Sequence, residues 1–161
     1  MATVSVEEVW QALDEVMDPE IPVLSLIELG IVRGVELDGL HACVRITPTF
    51  SGCPAFEVMK VDIVARLRKL GLDAVEVKTS LSPAWTTDSI SEQGRAKLHS
   101  YGLVPPPRHA GDPELVISEA VRCPRCGSSQ TSRTNSFGPT LCREIYVCRN
   151  CREPFEGFKP I

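Results

Sequence analysis

Apolar residues recur at helical spacing near the start of the chain. Val6, Val9, Trp10, Leu13, Val16 and Met17 share one face of a helix predicted over residues 5–17. Ser5-Val6-Glu7-Glu8 supplies a capping box at its head. Asp18-Pro19-Glu20 stops it, because the residue before a proline is pushed out of helical geometry. Core packing accounts for Val9 and Trp10. The period then changes to two. Residues 31–37 and 41–47 read as strands joined by Asp38-Gly39, a hairpin signal. In the second strand Ala42, Val44 and Ile46 face one way, and Cys43, Arg45 and Thr47 the other, so Cys43 reads as a plain small strand residue. Helical spacing returns over 54–70, with Phe56, Met59, Ile63, Leu67 and Leu70 as the apolar stripe and Gly71 as its end. Residues 74–81 alternate again: Val75, Val77, Thr79 and Leu81 against Glu76, Lys78 and Ser80. A short helix follows at 89–100, capped by Asp88 or Ser89. Helix, hairpin, helix, strand, helix predicts a small α+β domain over 1–102, with helices packed on a three-stranded sheet. Pro105-Pro106-Pro107 marks a stiff linker, 103–120, leaving 121–161 as a second module.

That second module holds the strongest chemical signal. Cys123-Pro124-Arg125-Cys126 and Cys148-Arg149-Asn150-Cys151 are two C-x-x-C knuckles separated by 21 residues. Each knuckle sets two thiolates on a tight turn, and two knuckles make one tetrahedron. The spacing predicts a four-cysteine zinc ribbon with Cys123, Cys126, Cys148 and Cys151 as ligands. Disulfides and an iron–sulfur cluster are the competing uses of the same residues. The module needs metal on physical grounds: about 40 residues cannot bury enough apolar surface to fold unaided. A structural zinc contributes on the order of 10–16 kcal/mol to such a unit. Cys142 falls in a strand predicted over 142–148. At about 3.3 Å per residue it lies roughly 20 Å from Cys148, too far to share one ion. It reads either as a small hairpin residue near Phe137-Gly138-Pro139, or as a second accessible thiol that completes a transient iron site with Cys53 or a partner.

Charge narrows the function classes. Net charge is −4, yet residues 121–161 carry seven basic and three acidic side chains. A basic ribbon invites a nucleic-acid reading. Four thiolates around Zn²⁺ carry about −2, however, and Arg122, Arg125, Arg149 and Arg152 flank the ligands and offset it. The acidic remainder of the chain would repel phosphates, so nucleic acid is not the expected partner. No apolar run approaches the roughly 18 residues of a membrane helix. Met1-Ala2-Thr3 does not begin the basic, apolar, small-residue order of a signal peptide. With seven cysteines, four of them in knuckles, the chain reads as cytoplasmic.

The first domain has its own candidate chemistry in Thr47-Pro48-Thr49-Phe50-Ser51-Gly52-Cys53-Pro54. Pro54 suits the first helical position, which puts Cys53 at the N-cap. There the helix dipole and free N–H groups would stabilise a thiolate and depress its pKa below the ordinary value of about 8.5. A buried, inert cysteine packing the loop is the competing reading. Asp18 and Glu20 are either carboxylates near that thiol or solvated charges at a helix stop. Trp85 reads as a core lid. There is no Glu-x-x-His pair for a di-iron carboxylate site, no Gly-rich phosphate loop and no nucleophile elbow. The histidines, His41, His99 and His109, sit at no telling position for cysteine hydrolysis.

Asp18-Pro19-Glu20, Leu29-Gly30-Ile31-Val32 and Thr47-Pro48-Thr49 with Gly52-Cys53-Pro54 together resemble the SufT-like family of iron–sulfur assembly proteins, over residues 5–102. With Ser82-Pro83-Ala84-Trp85-Thr86-Thr87-Asp88 and the ribbon added, the whole chain is similar to the D-subunit family encoded with phenylacetyl-CoA epoxidase (ring-1,2-epoxidase) of aerobic phenylacetate degradation. The resemblance implies a non-catalytic accessory factor that matures the oxygenase by assisting iron–sulfur cluster or iron-centre assembly. That enzyme needs a di-iron centre in its catalytic component and a cluster in its reductase. The implied partners are epoxidase subunits or iron–sulfur assembly proteins. The implied transient iron or cluster site is Cys53 with Asp18, Glu20, Thr47 and Thr49. One cysteine cannot hold a cluster alone, so a homo-oligomer, a partner thiol or the tail must complete the shell. The alternative is a structural or regulatory component of the oxygenase that carries zinc only. The need for Cys53 separates the two.

Overall fold

The computed structural model describes residues 4–112, 114 and 120–160. The chain forms two compact units, Met1–Trp85 and Thr86–Ile161. The first is α+β, as the alternation of periods predicts. Its elements are α1 (Val6–Asp14), β1 (Val32–Asp38), β2 (His41–Ile46), α2 (Ala55–Lys69) and β3 (Ala74–Thr79). The strands run β1-β2-β3 across the sheet. β1 and β2 form an antiparallel hairpin, and α2 carries the chain over to β3, which pairs parallel with β2. Ala42, Val44 and Ile46 of β2 are wholly buried. So are Val9 and Leu13 of α1 and Ile63 and Leu67 of α2, with Met59 nearly so. Most positions of the predicted apolar stripes are therefore buried, but Val6 at the head of α1 is exposed, and Trp10 and Leu70 are only half-buried. Truncating a buried side chain such as Ile63 to Ala costs about 2–5 kcal/mol.

The capping box forms as read: Ser5 Oγ accepts the Glu8 N–H, and the Glu8 carboxylate accepts the Ser5 N–H at 2.8 Å. Helix α1 nevertheless ends at Asp14, earlier than the predicted residue 17. The chain turns away because Met17 makes an isolated bridge with Ser25, which leaves Met17 exposed. The hairpin turn is Gly39-Leu40 rather than Asp38-Gly39, since Asp38 is still paired with His41 and Gly39 takes the positive φ of 59°. β3 stops at Thr79; Leu81 lies beyond it and is exposed, ahead of a cis Ser82-Pro83 bond.

In the second unit a 3-10 turn (Thr87–Ser89) precedes α3 (Glu92–Tyr101). The cap of α3 is Ser91, whose hydroxyl accepts the Gly94 N–H at 3.0 Å, not Asp88 or Ser89. Asp88 is engaged elsewhere, accepting the N–H groups of His109 and Ala110. Four strands follow: β4 (Leu103–Val104), β5 (Thr131–Asn135), β6 (Arg143–Cys148) and β7 (Pro154–Phe158), in the order β4-β7-β6-β5. The stretch expected as a stiff linker over 103–120 begins instead as part of the second unit's sheet. β4 is already a strand of the ribbon sheet, and Arg95 and Arg108 tie the following residues to α3 through Pro106 O, Asp88 O and Glu92. Residues 113 and 115–119 of that stretch lie outside the described residues.

Candidate functional site

The ribbon cysteines converge. One ligand atom from each of Cys123, Cys126, Cys148 and Cys151 lies within 4.8 Å of all the others. The Cys123–Cys151 and Cys126–Cys148 sulfur pairs are both 3.6 Å apart. A tetrahedral zinc with bonds of about 2.3 Å spaces its sulfurs about 3.8 Å apart, so one ion fits. An iron–sulfur cluster would distribute its four cysteines over more than one iron. At 3.6 Å the sulfurs are also far beyond the roughly 2.05 Å of a disulfide.

Each knuckle is closed by its own backbone. The N–H of Gly127 donates to Cys123 O, and the N–H of Arg152 donates to Cys148 O, both at 2.9 Å. The closing residue takes positive φ in each, 72° at Gly127 and 63° at Arg152. Glycine is unstrained in that region and arginine is not. The electrostatics call for a cation. Cys126 is held down to about 6 by the Ser128 N–H and the Asn150 amide. The Glu153 N–H favours the Cys151 thiolate, yet burial and the neighbouring sulfurs push that thiol up to about 12. Several thiolates in so small a volume suppress one another until a metal neutralises them.

Cys142 stands apart. It is buried, immediately before β6, and its Sγ lies 3.2 Å from Thr140 Oγ1. Its place at the base of the β5–β6 loop matches the hairpin reading, and its burial is against an accessible auxiliary thiol. Glu144 and Cys148, which alternate with it along the chain, are also buried, while Tyr146 on the same side is half-buried.

The thiol loop of the first unit is assembled from three segments. Asp18 is buried, and its Oδ1 accepts the N–H groups of Glu20 and Ile21, both at 2.7 Å. It is therefore the organiser of the turn after α1. A second capping box, Ser25-Leu26-Ile27-Glu28, holds the next turn: Ser25 N–H donates to Glu28 at 3.1 Å, and Glu28 N–H donates to Ser25 Oγ at 3.0 Å. Its S-x-x-E pattern is a sequence signal that the search for helical and strand periods passes over. A β-bulge at Arg33 breaks the register of β1, and Arg33 Nε donates to Thr47 Oγ1 at 3.2 Å. Thr47 is buried just past β2, with its N–H on Ile31 O, rather than on the open face expected for it. Thr49 is half-buried in the loop that follows. Trp85 closes the unit as a buried lid, its indole N–H on Leu29 O at 2.8 Å.

Cys53 sits one residue before the helix cap. Pro54 is the N-cap of α2, with φ −65° and ψ −28°, so the element begins one residue later than predicted. Gly52, with φ 84°, supplies the turn into it. The thiol is half-buried. Its pKa is raised, opposite to the expected depression. Burial is the largest cause, and the Glu20 and Asp18 carboxylates add to it; the N–H groups of Ala55 and Phe56 oppose the shift without overcoming it. The carboxylates thus act on the thiol, but they do not form a closed donor cage with it. Among the described residues the ribbon cysteines are the one tight group of three or more metal-ligating side chains.

The fold and the donor set define an α+β domain of the iron–sulfur assembly type joined to a zinc β-ribbon. Two family models match accordingly: an iron–sulfur cluster assembly protein over residues 6–79, and the PaaD zinc beta ribbon domain over 111–159. A domain of unknown function (DUF59) from Bacillus anthracis superposes with a TM-score of 0.54 at 25% identity, covering 57% of this chain and 89% of that one. A conserved hypothetical protein from Thermotoga maritima gives 0.53 at 31% identity, covering 61% and 98%. Over all 161 residues the chain is 42% identical to the putative 1,2-phenylacetyl-CoA epoxidase D subunit of Escherichia coli (strain K12), covering 96% of it. The chain belongs to the family of that D subunit, and its four converging cysteines all lie within the span that matches the PaaD zinc beta ribbon domain. No helix among the described residues is long and apolar enough to cross a membrane.

Proposed function

We propose that this chain is a non-catalytic, cytoplasmic maturation factor of a phenylacetyl-CoA epoxidase. It assists iron-centre or iron–sulfur cluster assembly and holds its cargo transiently at Cys53. The observation that carries this reading is the electrostatics of the thiol loop. Glu20 and Asp18 both act on Cys53 and disfavour a bare thiolate. The same carboxylates favour a thiolate neutralised by a cation, so the site gains affinity when iron arrives and the proton leaves. Thiolate and carboxylate together suit a ferrous ion. Asp18 and Thr47 shape the loop, while half-buried Glu20 is the stronger carboxylate on the thiol. The ribbon contributes a resident zinc through Cys123, Cys126, Cys148 and Cys151. An incomplete shell around Cys53 suits release of cargo to epoxidase subunits or exchange with other assembly proteins. The neutral thiol also supports a second reading, a structural component of the oxygenase that carries zinc alone.

The experiment is metal and sulfide analysis of protein purified without oxygen, paired with maturation of co-expressed epoxidase by the wild type and by Cys53→Ser. A carrier yields iron beyond the zinc, and Cys53→Ser loses that iron and lowers epoxidase maturation. Zinc alone, with normal maturation by Cys53→Ser, would establish the scaffold reading instead.

A further inference from the structure

The outward face of α2 carries an unusual stripe. Glu57, Val61, Val64 and Arg68 recur at i, i+4, i+7 and i+11 and so line up along one side of the helix. This side is distinct from the core face of Phe56, Met59, Ile63 and Leu67. Val61 is 65% exposed, although its neighbours on the core face are buried. Lys60, Val61, Val64, Ala65 and Arg68 line a shallow groove of about 340 Å³. Glu57 holds Lys60 at 2.7 Å, and among the described residues nothing pairs with Arg68.

The stripe is symmetric about the midpoint between Asp62 and Ile63. Reversed, Glu57 falls opposite Arg68 and Val61 opposite Val64. We propose that α2 is the seam of a two-fold homodimer, in which Glu57 of each chain meets Arg68 of the second copy across a Val61–Val64 contact. An antiparallel helix pair satisfies both charge contacts at once, as a self-complementary two-fold interface requires. A uniformly acidic partner would match Arg68 and Lys60 but meet Glu57 with like charge. Ala65 beside the valines lets the helices approach to the usual 8–10 Å. The seam is a single pair of helices of about four turns each, and stable interfaces usually bury roughly 1,200–2,000 Å², so the proposed dimer is a weak one that forms at high micromolar concentration. It also separates the two Cys53 thiols by roughly 28 Å along the helix axes, given a rise of about 1.5 Å per residue. This dimer does not pool the thiols into one cluster site. The inference is independent of what Cys53 carries.

The test is sedimentation of the zinc-loaded full chain from low micromolar to submillimolar concentration. The wild type shifts from monomer to dimer. Glu57→Arg and Arg68→Glu each weaken self-association about tenfold or more, because each sets like charges opposite one another twice. An equimolar mixture of the two variants restores association, since every contact then pairs opposite charges. Val61→Asp, at an exposed position, gives a monomer with unchanged helicity by circular dichroism. A wild type that stays monomeric throughout overturns the proposal. So does a mixture that fails to associate, or a dimer indifferent to all three substitutions, which would place the seam elsewhere or assign the face to a different partner.

Discussion

Replacing Cys148 with Ser should dismantle the ribbon and spare the first unit. Cys148 is fully buried, starts the second knuckle and belongs to the small apolar cluster of the ribbon. That cluster's buried members are Val104, Cys123, Cys148 and Phe155, so half of them are knuckle cysteines. The two remaining buried side chains contribute about 1.5–3 kcal/mol each. Zinc in a module of this kind contributes on the order of 10–16 kcal/mol, which dominates the comparison. The substituted hydroxyl is a poor zinc ligand, and the three remaining thiols lose the ion that reconciles their charge. Zinc should fall from one per chain to near none. In a two-dimensional amide spectrum, β5, β6 and β7 should lose their dispersion, followed by β4, whose strand partner is β7. The resonances of β1, β2 and β3 should keep their positions, because that sheet belongs to the other unit. Full zinc occupancy together with dispersed β6 and β7 resonances in Cys148→Ser would refute the assignment.

Arg152→Gly should stabilise the ribbon by about 1 kcal/mol, because it relieves a left-handed arginine in the second knuckle; an unchanged or lower denaturation midpoint would show that this strain is absent. Gly127→Ala should have the opposite sign. A Cβ there meets nothing within 4 Å, so the cost is backbone alone, about 1 kcal/mol by the same assay. Alkylation of Cys53 should be slow at neutral pH and accelerate only above the ordinary thiol pKa, since the raised pKa keeps the thiol protonated at pH 7. Glu20→Gln removes a charge that raises that pKa, so the rate profile should move to lower pH; a profile that does not move would remove Glu20 from the site. Cys142→Ala should leave zinc near one per chain, and a loss of metal would implicate that sulfur in the centre.

The ribbon was legible because its chemistry is local: a knuckle is four residues long, and two of them need only meet. The sheet was legible for a similar reason, since a period of two in 41–46 and a helical period in 55–69 each name their buried face. Boundaries were less legible where distant segments decide them. Met17 satisfies its helical spacing but is drawn off by Ser25, and Asp88 looks like a helix cap but is engaged by the backbone of residues 109 and 110. Short β4 was hidden because its pairing with β7 is a contact between residues more than fifty positions apart.

Cys53 shows the same division within one side chain. Its position ahead of α2 is a local fact, and local reasoning about helix ends gives a depressed pKa. Burial and the carboxylates that reverse the sign belong to the tertiary structure, with Asp18 and Glu20 brought in by a turn more than thirty residues upstream. The reversal bears on the carrier role proposed for Cys53. A low-pKa thiol would be a standing nucleophile, open to oxidation and to adventitious alkylation. A protonated thiol beside two carboxylates is quiet until a cation displaces its proton, and it recovers the proton when the cation leaves. Binding at such a site is linked to pH: affinity for iron should rise as pH rises toward the thiol pKa, by up to about tenfold per pH unit for one released proton. Anaerobic ferrous-ion titrations of the zinc-loaded chain at several pH values measure that slope. A slope of zero, or the same slope in Cys53→Ser, would mean that the thiol is not the ligand and that the loop's electrostatics serve the fold alone.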